Sequence, residues 1–367
     1  MPSFRTTVAL GTVLATACLG ALGCAPADSG TTGSAEPAAA VGEREAWEGE
    51  GYPVTLDVCG VEQTFTEAPE RVVVMNGASV AEVSTLLDLG LEDRIVANAQ
   101  SYGHSEVKGR AEAIDELPTG DVRRNELQDF PRESMLDLAP DLVLSTTGFG
   151  FRSENGFATR EELAEAGART YIPRTGCDER AAVKDPPTIE DSYALLRDLG
   201  AVFDVRDRAE QRVEASERHI RKTAAAVREA RKNQGDSAED TPDVLVIFAN
   251  MSMGANPYSS VAARGIWNDV LAKAGGRNAF ADASATMFAD LSPEQLAAKQ
   301  VDAVVVVAWQ PGDDADTYAR DLLDAFPQWP AARDDRYTVL SDSIYLGPSN
   351  HLAVERVAAL LHPEAVR

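Results

Sequence analysis

Apolar positions along the chain follow two rhythms. Short continuous runs read as strands buried on both faces: Arg71-Val72-Val73-Val74-Met75, Ile95-Val96-Ala97, Asp141-Leu142-Val143-Leu144-Ser145 and Arg169-Thr170-Tyr171-Ile172-Pro173. Between them, apolar residues recur at helical spacing over 80–89, 133–138 and 161–166, and Gly90, Pro140 and Gly167 stop each stretch. An alternating strand over 54–58 precedes the set. The same rhythm returns later, with strands at 244–248, 303–308 and 337–340 and helices at 266–274, 293–299 and 352–361. Helices taking turns with apolar strands imply parallel sheets covered on both faces.

A different pattern separates the two halves. A helix over 192–199 ends at Gly200, and 206–231 contains neither Gly nor Pro while Val213, Ile220 and Val227 recur every seven residues. One helix of that length spans about 39 Å, more than a small domain needs. Its narrow apolar stripe suits a partly exposed strut. The polar stretch 233–241 with Gly235 ends it before Pro242. The expected fold is therefore α/β, with two doubly wound parallel-sheet lobes over 52–190 and 241–367 joined through 191–240 by one long backbone helix.

The start of the chain is of another kind. Arg5, an apolar run over 7–22 and Ala21-Leu22-Gly23-Cys24 predict a lipoprotein signal peptide over 1–24 that ends at a lipidated Cys24. The competing reading is an ordinary secretory leader cleaved near Ala25 or Ala27. Residues 25–51 hold little to bury and predict a disordered linker, so the folded part is anchored to the outer face of the membrane by lipid only.

Composition narrows the function. A formal net charge of -25 over 367 residues argues against nucleic acid and anionic bilayers as partners. With Cys18 in the leader and Cys24 lipidated, only Cys59 and Cys177 remain, and an oxidising exterior favours their pairing over two separate buried thiols. His104, His219, His351 and His362 do not cluster with other ligands, so no metal site is assigned. No phosphate loop, His-Glu-x-x-His or Gly-x-Ser-x-Gly motif occurs, and Gly148-Phe149-Gly150 lacks the third glycine of a dinucleotide site. No catalytic residue or cofactor is expected; an exported chelatase-like or lyase enzyme stands as the alternative of another class.

Several segments carry a resemblance. Glu133-Ser134-Met135-Leu136-Asp137-Leu138-Ala139-Pro140-Asp141-Leu142-Val143 has a counterpart in Ser292-Pro293-Glu294-Gln295-Leu296 followed by Asp302-Ala303-Val304. Ala68-Pro69-Glu70-Arg71-Val72-Val73-Val74, Leu87-Asp88-Leu89-Gly90-Leu91 and Ala274-Gly275-Gly276-Arg277-Asn278 complete the set. Together they resemble the substrate-binding lipoproteins of iron-siderophore and cobalamin ABC importers. The resemblance implies a rigid, monomeric two-lobed binder that takes a ferric siderophore, or alternatively haem or cobalamin, into a cleft and passes it to a permease and its ATPase. It also implies that Glu133 and Glu294 pair with permease arginines. The competing reading is a first-turn carboxylate on each helix, capped by Asp129 or Ser292.

Ligands of open parallel sheets sit beyond the carboxyl ends of the strands. Those ends offer Met75 and Asn76; Ser145, Thr146, Thr147, Phe149 and Phe151; Arg174; Asn250, Met251, Met253, Asn256 and Tyr258; and Trp309 with Gln310. Aromatic and methionine side chains with a few polar groups suit a bulky chelate. Asn76, Tyr102, Thr147, Phe149, Arg174, Met253, Tyr258 and Trp309 are the expected ligand-binding residues, with core packing as the competing role for each. His104 beside Tyr102, or Tyr258, is the expected axial group if the ligand is haem.

Overall fold

The computed structural model describes residues 51–366, apart from 78, 126, 178–185 and 311. The expected leader, Cys24 and all of the linker but Gly51 lie outside the described residues.

The chain opens with a hairpin, β1 (Val54–Val58) and β2 (Val61–Phe65). Its two-residue turn puts Cys59 and Gly60 at φ 57° and 77°, the pair of positive values that a tight hairpin of this twist needs. The first half continues β3 (Val72–Val74), α1 (Ala81–Asp88), β4 (Ile95–Asn98), α2 (Arg110–Asp115), α3 (Arg132–Asp137), β5 (Leu142–Leu144), α4 (Arg160–Glu165) and β6 (Arg169–Tyr171). Two helices follow, α5 (Ile189–Val202) and α6 (Arg206–Gln234). The second half runs β7 (Asp243–Phe248), β8 (Tyr258–Val261), α7 (Ile266–Lys273), β9 (Arg277–Asn278), β10 (Phe288–Leu291), α8 (Pro293–Ala297), β11 (Ala303–Val307), α9 (Ala315–Ala325), α10 (Pro330–Arg333), β12 (Tyr337–Leu340) and α11 (Asn350–Leu361).

The first sheet has strand order β4-β3-β5-β6 and is parallel throughout. The second has the order β10-β8-β7-β11-β12 with β9 beside β7. Its β9, β7, β11 and β12 are parallel, while β8 and β10 add an antiparallel extension. The strand over 54–58 forms as expected and pairs with β2, outside the first sheet. One expectation changes. The second lobe is mixed, because β8 and β10 are short strands with polar positions that the apolar-run criterion passes over.

The Asp before each central strand has a structural task. Asp141 accepts the amides of Glu70 and Arg71 at 2.6 and 2.9 Å, and Asp302 accepts the amide of Asp243 at 2.8 Å. Each carboxylate thereby fixes where the neighbouring strand begins, β3 in one half and β7 in the other.

Helix α6 has 29 residues, about 43 Å, and ends at Gly235 in the left-handed conformation. Its buried stripe is Ala209, Val213, Ser216, Ile220, Thr223 and Val227, and it lies against α5 and α11. Arg208 reaches the Leu89 carbonyl near its start, and Val227 packs at Gly275 near its end, where an added Cβ would meet Val227 Cγ1 at 2.5 Å. One helix thus braces both halves. Gly200 does not stop α5 as the sequence reading has it: the helix continues to Val202, and a Cβ on Gly200 would lie 2.4 Å from that of Ala209. The glycine marks a close crossing of two helices.

A single apolar cluster runs through both halves, from Val72, Val143 and Leu196 to Phe248, Trp267, Tyr345 and Val357. A second cluster around Leu245, Val304, Leu322 and Trp329 lies on the α9 side of the second sheet. A disulfide joins Cys59 in the hairpin turn to Cys177, with Cα atoms 5.1 Å apart.

Candidate functional site

The carboxyl ends of β3, β4, β5 and β6 share one edge of the first sheet, and those of β7, β11 and β12 share one edge of the second. The loops leaving these two edges meet. His104 Nε2 donates to the Gln310 carbonyl at 2.9 Å, Ser105 Oγ donates to Asp342 at 2.9 Å, and Tyr102 packs on Tyr345.

The loop after β5 is shaped to present an aromatic ring. Thr147 Oγ1 accepts the Phe149 amide at 3.3 Å and caps the 3-10 turn Gly148–Phe151, while Ser145 Oγ donates to the Thr147 carbonyl. Gly150 lets the turn sit down on the strand, since an added Cβ would meet Ser145 Oγ at 2.6 Å. Phe149 is left 41% exposed, with one edge toward Phe157 and the Arg152 guanidinium 5.6 Å from its ring centre. Leu127 at 45% and Met253 at 55% are also exposed on loops of the two halves. These exposed apolar side chains are the candidates for ligand contact.

Polar side chains fix these loops. Asn76 donates to the Leu127 carbonyl at 3.2 Å and accepts the Gly77 amide. Asp290 accepts the amides of Ala255 and Asn256, both at 3.1 Å, and Asn256 Nδ2 at 2.9 Å, which pins the Met253 loop. Asp313 accepts the amides of Trp309 and Gln310. Beneath the first sheet's edge, buried Glu82 accepts Gln100 Nε2 at 2.6 Å and Thr146 Oγ1 at 3.0 Å, and its Oε1 has no partner. Burial pushes this carboxyl up, against the lowering effect of those two hydrogen bonds. Asp129 is likewise pushed up, to about 6, by burial.

Of the expected ligand-binding residues, Asn76, Thr147, Phe149 and Met253 lie on the open loops. Asn76 and Thr147 brace those loops with hydrogen bonds, and the other four pack or pair away from them. Arg174 directs Nε and Nη2 at Asp191 Oδ1, at 3.0 and 2.5 Å, although its side chain stays 55% exposed. Trp309 donates its indole N–H to the Ala249 carbonyl at 2.9 Å. Tyr258 packs on Phe326 with ring centres 6.1 Å apart, on the α9 side. Tyr102 is buried. Arg152 and Leu127 were not anticipated; a lone leucine in the polar stretch 123–129 was the available signal.

Glu133 and Glu294 are both exposed in the first turns of α3 and α8. Ser292 caps α8 in a reciprocal arrangement with Gln295. Backbone and Ser292 hydrogen bonds hold the Glu294 carboxyl below its ordinary range. Asp129 does not cap α3 as expected; it turns back to accept the Phe130 amide at 2.9 Å, and Pro131 precedes the helix.

A family model for periplasmic binding proteins matches residues 72–343. The chain belongs to this family. As a binding protein of the ABC-transport type, it shares its fold with solved relatives of low sequence identity. A protein of an ABC-type Fe3+-hydroxamate transport system from Saccharomonospora viridis DSM 43017 is 22% identical, with TM-score 0.63 over 85% of this chain and 99% of that one. A periplasmic haem-binding protein from Roseiflexus sp. RS-1 is 24% identical, with TM-score 0.55 over 81% and 99%. One from Pseudomonas aeruginosa is 23% identical, with TM-score 0.57 over 80% and 93%. No curated protein sequence matches the chain. The family is one of exported proteins, and no described helix of this binding protein is long and apolar enough to cross a membrane. Among its described residues no group of three His, Cys, Asp or Glu is placed to hold a metal ion.

Proposed function

We propose that the protein captures a ferric siderophore between its two strand-end edges and presents it, without covalent chemistry, to an ABC permease and its ATPase. The observation that carries this reading is the exposed Phe149, held out by the Thr147-capped turn with Arg152 beside it. An aromatic face with an adjacent cation suits a bulky organic chelate bearing negative charge. Leu127 and Met253 supply apolar surface on both sides, and the Fe3+-hydroxamate protein is among its structural relatives.

Haem is the second reading, favoured by the haem-binding relatives. Within this chain two of the candidate axial groups are withdrawn, His104 Nε2 by its bond to the Gln310 carbonyl and Tyr102 by burial against Tyr345, while Tyr258 packs its ring on Phe326. That weighs toward a chelate that arrives with its iron already enclosed. A lipid on Cys24 would keep the protein at the outer face of the membrane, and labelling with radioactive palmitate, lost in Cys24→Ser, tests the anchor.

The deciding experiment is a tryptophan-fluorescence titration of the full-length protein with ferric hydroxamate, catecholate and carboxylate siderophores, cobalamin and haemin, run beside Trp309→Phe. Saturable quenching by one siderophore class supports the proposal. Saturation by haemin alone transfers it to haem, and silence from every chelate overturns it.

A further inference from the structure

The contact between the two halves contains a pair of carboxyl groups that no binding role uses. Glu106, in the loop after β4, accepts the amides of Ser341 at 2.5 Å and Ser343 at 3.2 Å. Asp342, in the turn after β12, accepts Ser105 Oγ at 2.9 Å and the Glu106 amide at 3.3 Å. Each carboxyl therefore satisfies the backbone of the other's segment, and this reciprocal arrangement brings the two carboxyl groups side by side. Ser341 Oγ adds a bond to the His104 carbonyl at 2.8 Å.

Two neighbouring carboxylates repel strongly in a low-dielectric site, and the repulsion is relieved when one of them carries a proton. Backbone amides and the Ser105 hydroxyl are the donors that favour their charged forms. Among the described residues neither group is ion-paired with Lys, Arg or His. From α1, Asp342 faces Val80, Ala81 and Ser84, and from α11 the neutral Asn350 bonds the Ser343 and Tyr345 carbonyls. On the flanking loops stand His104, turned to Gln310, and the phenols of Tyr102 and Tyr345, both pushed up by burial.

We infer that Glu106 and Asp342 share one proton and act as a pH-dependent latch between the two halves, closed while the proton is held and loosened when both groups ionise. The inference concerns the lobes and stands whatever the ligand. Burial first, and Glu106 beside it second, push Asp342 up to about 7. Burial also opposes ionisation of Glu106, but its hydrogen bonds with Asp342, Ser341 and Ser343 outweigh this and hold it below its ordinary range. A carboxyl raised in the closed state stabilises that state at low pH, and the stabilisation fades as pH rises toward the raised value.

Hydrogen exchange of the Ser341 and Ser343 amides in the full-length protein tests this. Corrected for intrinsic rates, their protection should fall about tenfold between about pH 6 and about pH 8.5, while that of β3 stays level. Asp342→Asn replaces the shared proton with an amide N–H and should give a flat profile. Carboxyl-carbon NMR of wild type should place one titration midpoint near the raised value given above. If Asp342→Asn does not fold, the wild-type profile and midpoint decide alone. A flat wild-type profile, an unchanged profile in Asp342→Asn, or a midpoint in the ordinary carboxylate range overturns the latch.

Discussion

Tyr102 and Tyr345 meet edge to face with ring centres 5.3 Å apart, one ring from each half of the molecule. Tyr345 also stands 6.1 Å from Trp267 and 6.5 Å from Phe248. The boundary between the halves is therefore part of the main core. Tyr345→Ala should cost about 3 to 5 kcal/mol of unfolding free energy, read from a denaturant midpoint. A loss below 1 kcal/mol, on the order of a surface change, would show that the halves are not packed as described.

The disulfide should contribute strongly. It closes a loop of 118 residues, worth about 5 kcal/mol in the chain-entropy account. Cys59→Ser with Cys177→Ser, or reduction of wild type, should lower the urea midpoint accordingly. A midpoint indifferent to reductant would mean that the two thiols do not pair in solution.

Gly200 separates two opposing effects. Alanine gains about 1 kcal/mol in helix propensity but drives its Cβ into Ala209, at an overpacking cost of about 1 to 3 kcal/mol. Net destabilisation of about 1 kcal/mol is expected from Gly200→Ala in equilibrium unfolding. A stabilised variant would mean that α5 and α6 lie further apart.

Glu133 and Glu294 are exposed and make no long-range hydrogen bond or ion pair among the described residues, so Glu133→Ala with Glu294→Ala should leave chelate affinity and melting temperature unchanged. If the two glutamates pair with permease arginines, as the family resemblance implies, uptake by cells carrying the permease should fall to background. Rim charges orient an encounter more than they add affinity, so each single change should be milder. Loss of ligand binding in the double variant would assign both residues to the fold instead.

Much of the architecture was legible because burial on both faces writes itself as β-branched runs, as in Val72–Val74 and Ala303–Val307. Helix α6 announced itself by a long stretch free of Gly and Pro. Legibility failed where a residue type has two physical uses. Gly200 looks like a helix end, yet it serves a helix crossing that only the partner helix reveals. Strand β8 buries Ser259 and Ser260, whose hydroxyls are satisfied by bonds from elsewhere in the fold, so polarity hid a strand. The site was legible as a set of strand ends but not as contacts. Arg174 reads as a free cation until Asp191, seventeen residues on, is folded against it. Glu106 and Asp342 are 236 positions apart, and no local pattern links them.

The core that spans both halves bears on how the protein is made. Its last helix, α11, packs on α6 and supplies Val354, Val357 and Ala358 to the same cluster as Val72. A chain made from its first residue onward lacks this layer until α11 itself has been synthesised. Contacts of such long range form late. The order of packing thus makes the core of the first half wait on helices that the second half supplies.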